Sequence, residues 1–358
     1  MSFLLDPVEK PLERWLASRG VPKYRLGQIH NWLFARRAAS FEEMTDLPQD
    51  LRKALSEELP LWSTNIVKRH RADDATEKLL LELADGQRIE CVLMREGQRR
   101  TICISTQVGC GMGCAFCASG LEGVTRNLSS GEIVEQMLRL NQCLGPNERI
   151  SHIVVMGMGE PLANLKSLLP ALELATSPQG LGISARRITV STVGLPAGID
   201  RLAKNNVPYR LAVSLHAPND ELRDQLVRVN SKIGIDAILS AAARYFAATG
   251  RRLTFEYVLL ADVNDQPEHA QELVRRLAGR TALVNIIPYN PVDGLPYHRP
   301  SDEALNRFVA ILRGAEIEVQ VRKRKGDAID AACGQLRRSM GNTQTVFQLP
   351  SVDVSSSA

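Results

Sequence analysis

The stretch CGMGCAFC, Cys110 to Cys117, sets three thiols within one short loop, with glycines at 109, 111 and 113. Thiolates are soft ligands, and three so close together point to a metal. A structural zinc site wants four closed ligands, usually two separated Cys-x-x-Cys pairs. Here Cys-x3-Cys-x2-Cys occurs once with no second pair, so zinc would need His152 or His216 as its fourth ligand. In a [4Fe–4S] cube, three cysteines leave one iron without a protein ligand, open to a substrate or cofactor. The glycines let the backbone wrap tightly around so bulky a group.

The rest of the chain sets the context for that loop. Seven cysteines, at 91, 103, 110, 114, 117, 143 and 333, are an odd number clustered in one region. That favours metal or catalysis in a reducing compartment over a disulfide framework. The chain has 358 residues and is 44% hydrophobic, enough for one large core and a small extra domain. No apolar run approaches the roughly 18–20 residues of a membrane span, and MSFLLDPVEKPLERW has acids where a signal peptide would be basic. A soluble, cytoplasmic protein with no membrane partner is expected. With 44 Lys and Arg against 40 Asp and Glu, the charge permits nucleic-acid binding without arguing for it.

Residues 1–63 read as a small helical domain: PLERWLASRG, YRLGQIHNWLFARR and SFEEMTDLPQDLRKALSEEL, the last opening on a Ser40/Glu43 capping box. Residues 64–99 change period and predict a linking β-hairpin around Asp85-Gly86. From residue 100 to 340 the order is strand, polar loop, helix. TICISTQ, HIVVMGMGEP, RITVSTVG, YRLAVSLHAPND, RLTFEYVLLADVND and ALVNIIPYNP supply six strands. The fold class is α/β, a parallel sheet closing into a partial (β/α)6 barrel. Cys110, Glu160, Ser191, His216, Asn264 and Asn290 fall at the C-terminal strand ends, the rim where such barrels build sites. The Ser-rich tail, 341–358, is expected to be mobile.

The cysteine triplet with Phe116 before its last thiol, after the first strand of a βα barrel, resembles the radical S-adenosylmethionine (SAM) superfamily. GMGEP, Gly157 to Pro161, is similar to that superfamily's segment for the methionine amino group. Further along, QVGCGMGCAFC, GMGEPLAN, SLHAPND, IIPYNP and GDAIDAACGQL together resemble the RlmN/Cfr family of RNA adenosine methyltransferases, over roughly residues 5–340. The resemblance implies a [4Fe–4S] cluster on Cys110, Cys114 and Cys117, with SAM chelated by its open iron. It implies cofactor contacts at Gly159, Glu160, Ser191, Ser214, Leu215, His216 and Asn290.

It also gives roles to two thiols that alone would read as core packing. Cys333 takes a methyl group from one SAM, and a radical from a second removes hydrogen from that S-methyl. The carbon then adds to adenine and tethers the RNA. Glu90 is the implied proton acceptor, and Cys103 attacks the Cys333 sulfur, releasing RNA as a transient disulfide forms. The implied substrates are 23S rRNA and tRNA, methylated at adenosine C2, with an electron donor such as flavodoxin. VRKRKGD, Val321 to Asp327, is the densest basic run and leads directly to Cys333, so it is a candidate for holding RNA phosphates. The competing readings are a Cfr-type enzyme acting at C8, a radical enzyme on a non-RNA substrate, which would not need Cys333, and a zinc-binding RNA module.

Overall fold

The structure, a computed structural model, describes residues 3–205, 208–322, 325–326 and 329–336. The expected mobile tail and Lys323, Arg324 and Asp327 of the basic run lie outside these residues.

The strands β1 (Asn65–Arg71), β2 (Glu77–Glu82), β3 (Arg88–Glu96) and β4 (Arg99–Cys103) form an antiparallel meander. A short separate ribbon, β5 (Gln107–Gly109) with β6 (Val124–Asn127), brackets the cysteine loop. The meander then continues through β7 (His152–Val155), β8 (Ile188–Thr192), β9 (Arg210–Ser214), β10 (Leu253–Leu259), β11 (Ala282–Pro288) and β12 (Glu318–Val321). These lie in that order in one ten-stranded sheet, parallel from β4 onward. The six predicted strands are β4 and β7–β11. Two things differ from the sequence reading. The 64–99 segment is no free-standing hairpin: it holds three strands, and β3 pairs directly with β4 (Val92 opposite Cys103). A seventh parallel strand, β12, follows the last barrel helix; burial alternates along it, which a four-residue segment states too weakly to be read alone.

Ten α-helices accompany the sheet among the described residues. The N-terminal domain contains α1 (Pro11–Ser18), α2 (Tyr24–Asn31) and α3 (Gln49–Glu58). The barrel carries α4 (Ser130–Asn141), α5 (Leu165–Thr176), α6 (Pro196–Ala203), α7 (Asp220–Leu226), α8 (Ile235–Thr249), α9 (Pro267–Leu277) and α10 (Asp302–Gly314). The predicted capping box at Ser40 does not form. Glu43 instead accepts from the Ala39 amide (3.2 Å), and α3 begins only after Pro48, whose fixed φ suits a helix entry. The capping box that does form is Ser129/Glu132 at the start of α4.

One hydrophobic cluster runs from Phe3 and Leu12 through Ile29 and Met44 to Val155, Tyr257 and Phe308, so the helical domain and the barrel share a core. Their junction is also polar. Buried Asp6 accepts from Ser130 Oγ and the Gly131 amide (both 2.7 Å), and from the Val8 and Glu9 amides (2.8 and 3.0 Å). The negative charge sits at the N-terminus of α4, where the helix dipole favours it. Asp6→Ala leaves these donors unpaired and should cost about 2–3 kcal/mol in denaturant unfolding, whereas exposed Glu9→Ala should cost less than about 0.5 kcal/mol.

Candidate active site

At the C-terminal rim of the parallel strands is a cleft open to solvent. Cys110, Cys114 and Cys117 line one wall and Cys333 another; Gly159, Glu160, Ser191, Ser214, His216 and Asn290 lie between. Ten of the thirteen residues singled out from sequence therefore share one cavity. Leu215 is buried behind the wall, and its carbonyl accepts from Arg223 Nε (2.9 Å). Cys103 and Glu90 also lie off the cleft surface. Asn264, a strand-end residue, is fully buried: it accepts from the Leu260 amide (2.7 Å) and donates to His216 O and Val258 O (both 2.8 Å).

The cysteine loop is held at both ends. The Cys110 amide donates to Gly123 O (2.9 Å), and Ala115 N to Leu226 O (2.9 Å). Gly113 sits at φ +66°, where a side chain would be strained. All three thiols are free. Burial raises each pKa, that of Cys110 to about 12, and the neighbouring thiols add to the effect. To stand as thiolates at this wall the three would need a strongly cationic partner, which is the kind of group an iron–sulfur cluster supplies. His152 cannot join them, because it opens β7 at the opposite end of the barrel. His216 does face the cleft at φ +62°. Its Nδ1 accepts from the Val258 amide (3.0 Å) and its ring meets Phe116 edge-on at 4.9 Å. Burial, with Arg223 beside it, lowers its pKa to about 3, so the imidazole is neutral.

Glu160 is buried and fully engaged. Its carboxylate accepts from Leu162 N (3.0 Å) and Val193 N (2.9 Å), and its amide donates to Gln107 Oε1 (2.8 Å). The side chain thus ties the β7 loop to the β8 loop and shapes the cleft. At Gly159, φ is +99° and a Cβ would stand 2.6 Å from Gln107 Cβ, so only glycine fits. Arg223, fully buried and unforeseen from sequence, bonds Leu215 O (2.9 Å), Ser214 O (3.0 Å) and Val193 O, clamping the β8 and β9 ends together.

After β12 the chain turns back across the cleft mouth. The Gly326 amide donates to Asp74 Oδ2 (3.0 Å), Lys325 Nζ to Arg95 O (3.1 Å), and Lys78 Nζ to Asp330 O (3.1 Å). At its far end Ala118 N donates to Gly334 O (2.8 Å), Asn290 Nδ2 to Cys333 O (3.4 Å) and Gln335 Nε2 to Pro291 O (3.0 Å). This strap suspends Cys333 beside the cysteine loop. Lys78 also forms a buried ion pair with Glu90 (2.9 Å), so one ammonium links Glu90 to the strap three residues before Cys333.

Arg322, in the basic run, points inward rather than to solvent. Its Nη1 lies 3.5 Å from Cys333 Sγ and 3.7 Å from both Met156 Sδ and Glu256 Oε2. Glu256 is buried, and burial raises its pKa while Arg322 opposes that shift. Cys103 lies within range of the charges of Cys333 and Arg322; burial holds its pKa up at about 12. From sequence the run is a candidate for RNA phosphates, and its first cation instead faces Cys333. Strand alternation after an unrecognised β12 was the signal that turns Arg322 inward.

The fold and cysteine loop are those of the radical SAM superfamily, whose family model matches residues 104–274. The crystal structure of a radical SAM methyltransferase from Sphaerobacter thermophilus superposes with a TM-score of 0.90 at 45% identity, covering 94% of this chain and 100% of that one. The model of the ribosomal RNA large subunit methyltransferase N-terminal domain matches residues 3–60. A probable dual-specificity RNA methyltransferase RlmN from Rhodopirellula baltica is 60% identical over 93% of this chain and 90% of its own length. One from Thermosynechococcus vestitus is 44% identical over 94% and 98%. The chain belongs to the RlmN family of radical SAM RNA methyltransferases.

The Arg322 contact has a measurable consequence in the protein without cofactors. A cation 3.5 Å from the sulfur draws in an anionic reagent more than a neutral one. Arg322→Met should lower the ratio of iodoacetate to iodoacetamide alkylation at Cys333 about three-fold, read by peptide mass spectrometry, and Arg322→Lys should restore part of it. An unchanged ratio would mean that the contact does not act on the sulfur.

Proposed function

We propose that the protein methylates C2 of adenosine in 23S rRNA, and in tRNA at the adenosine 3′ of the anticodon, through a methyl group carried on Cys333. The observation that carries this reading is the strap, which sets a second kind of thiol into the same cleft as the cysteine triplet. The names of the relatives, dual-specificity RNA methyltransferases, support an RNA substrate. No helix among the described residues is long and apolar enough to cross a membrane.

Cys110, Cys114 and Cys117 would hold a [4Fe–4S] cluster with SAM at its open iron. Gly159 and Glu160 would shape the methionine end. Ser191, Ser214, His216 and Asn290 would line the nucleoside side, with Leu215 contributing only from behind the wall. When bound and reduced by a small carrier such as a flavodoxin, this pair supplies a 5′-deoxyadenosyl radical.

The protein's own work falls to the thiols and their neighbours. Cys333 Sγ, exposed on the strap and beside Arg322, would act as the nucleophile on the methyl carbon of SAM, its S–CH3 bond forming as the sulfonium–CH3 bond breaks and S-adenosylhomocysteine leaves. Cys103 waits behind it, protonated by burial. Once the unpaired electron of the adduct has passed back to the oxidised cluster and the adenine carbon has lost its proton, Cys103, giving up its proton, would attack the Cys333 sulfur. The electron pair of the broken carbon–sulfur bond stays on the methylene carbon, which takes up a proton to become the methyl group, and a Cys103–Cys333 disulfide is left for later reduction. Glu90, paired with Lys78, would accept the proton from the adenine carbon. Because Glu90 lies off the cleft surface, that step requires the strap or the base to approach β3. The target base must be unstacked or already in a loop to enter the cleft.

The test is a pair of variants. Cys103→Ala should accumulate an RNA–protein adduct that resists denaturation, and Cys333→Ala should give neither adduct nor methylated base. Digestion of treated rRNA and tRNA with mass spectrometry should find 2-methyladenosine. An 8-methyl product would assign the C8 reaction instead, and normal turnover by Cys103→Ala would overturn the disulfide release.

A further inference from the structure

The barrel has a second polar mouth, at the N-terminal ends of its strands. There an open recess is lined by His152, Ser184, Arg186, Arg187 and Arg210. Strand alternation explains why these residues meet. Ser191 and Ser214 face the catalytic cleft, so Thr189 and Arg210, two and four residues earlier on β8 and β9, face the same barrel interior. Thr189 is paired with Arg210 across those strands. His152 stands opposite Thr101 at the start of β7, and Arg99, two residues before Thr101, donates from Nε to its hydroxyl (3.0 Å). Strands of four or five residues at about 3.3 Å each place this mouth roughly 15 Å from the thiols.

The charge here is unbalanced. Several arginines elsewhere are neutralised by carboxylates, as are Arg244 by Asp200 (2.8 Å) and Arg276 by Asp236 (2.7 Å). Among the described residues, Arg186, Arg187 and Arg210 have no carboxylate partner. Burial, then Arg99, Arg187 and Arg210 nearby, lower the His152 pKa to about 4. Ser151 Oγ gives its proton to Arg100 O (3.0 Å) and accepts from His152 Nδ1 (2.9 Å). Guanidinium forks gathered around a recess that also holds the Ser184 hydroxyl suit the tetrahedral oxygens of phosphate.

We propose that this N-terminal mouth is a second binding site, separate from the catalytic cleft, that takes a phosphate group on Arg187 and Arg210. The phosphate belongs either to a free phosphate compound or to the backbone of the RNA substrate where it passes around the barrel, and the two sources differ in experiment.

Pyrophosphate is titrated into the full-length protein by calorimetry, and binding of a tRNA transcript is followed by anisotropy across a salt series. Arg187→Gln and Arg210→Gln are compared with Arg244→Gln, which should change neither measurement. For a free phosphate ligand, each of the first two variants weakens pyrophosphate binding about ten-fold or more and leaves RNA affinity intact. For an RNA phosphate, each variant weakens tRNA binding and lowers the slope of log affinity against log salt by about one. Pyrophosphate binding that is absent or equal in all three variants, together with an unchanged tRNA salt slope, would overturn the site. All three arginines are exposed, and matching thermal unfolding of the variants establishes that the fold is retained.

Discussion

The structure depends on the return of the chain after β12. A strand that finishes at the sheet edge would normally leave its continuation in solvent. Here backbone groups of the strap are taken up on both sides of the cleft, by Asp74 and Lys78 beside the meander and by Ala118 and Asn290 beside the cysteine loop. Each bond is modest alone, roughly 1 kcal/mol net. Together they fix a short irregular segment across an opening, so that the exposed Cys333 thiol stands beside the half-buried cysteine loop and near buried Cys103. Without the antiparallel meander the strap would have one anchorage, and Cys333 would have no fixed relation to Cys103.

The meander thus has two tasks. It supplies Asp74, Lys78 and Arg95 as anchors, and it covers the outer side of β4, burying Cys103 opposite Val92. Burial explains the division of labour between the thiols. Cys103 is kept protonated by desolvation, while Cys333 is exposed with a guanidinium alongside. Two chemically identical side chains acquire different reactivity from their surroundings. The buried Lys78–Glu90 pair joins the same construction, since its ammonium also bonds the strap.

The barrel interior is polar along much of its length, unlike barrels filled by layers of aliphatic side chains. Glu256, Asn285 and Arg322 lie toward the catalytic rim, and Thr101, His152 and Arg210 toward the other end. An open sheet of short strands permits this because both ends of the barrel open to solvent. The apolar core lies instead between the sheet and its helices and extends into the N-terminal domain, where Asp6 fastens the junction.

The sequence by itself determined the chemistry and most of the frame. Local spacing is enough to place three thiols on one loop, and apolar runs separated by polar loops are enough to give alternating strands and helices. Glu160, Ser191, His216 and Asn290 could be placed at one rim because parallel strands all end on the same side. What depends on long-range pairing could not be read in advance. The meander joins the barrel sheet through β3 and β4, the 64–99 segment is not a separate linker, and Pro48 rather than Ser40 sets the start of α3. Only the tertiary structure turned Arg322 inward, made Arg223 a clamp, moved Leu215 and Asn264 behind the wall, and gathered arginines from separate strand ends into one mouth. The physical reason is the same in each case: a side chain's environment is set by residues distant in sequence, and periodicity records which face it occupies but not what it meets there.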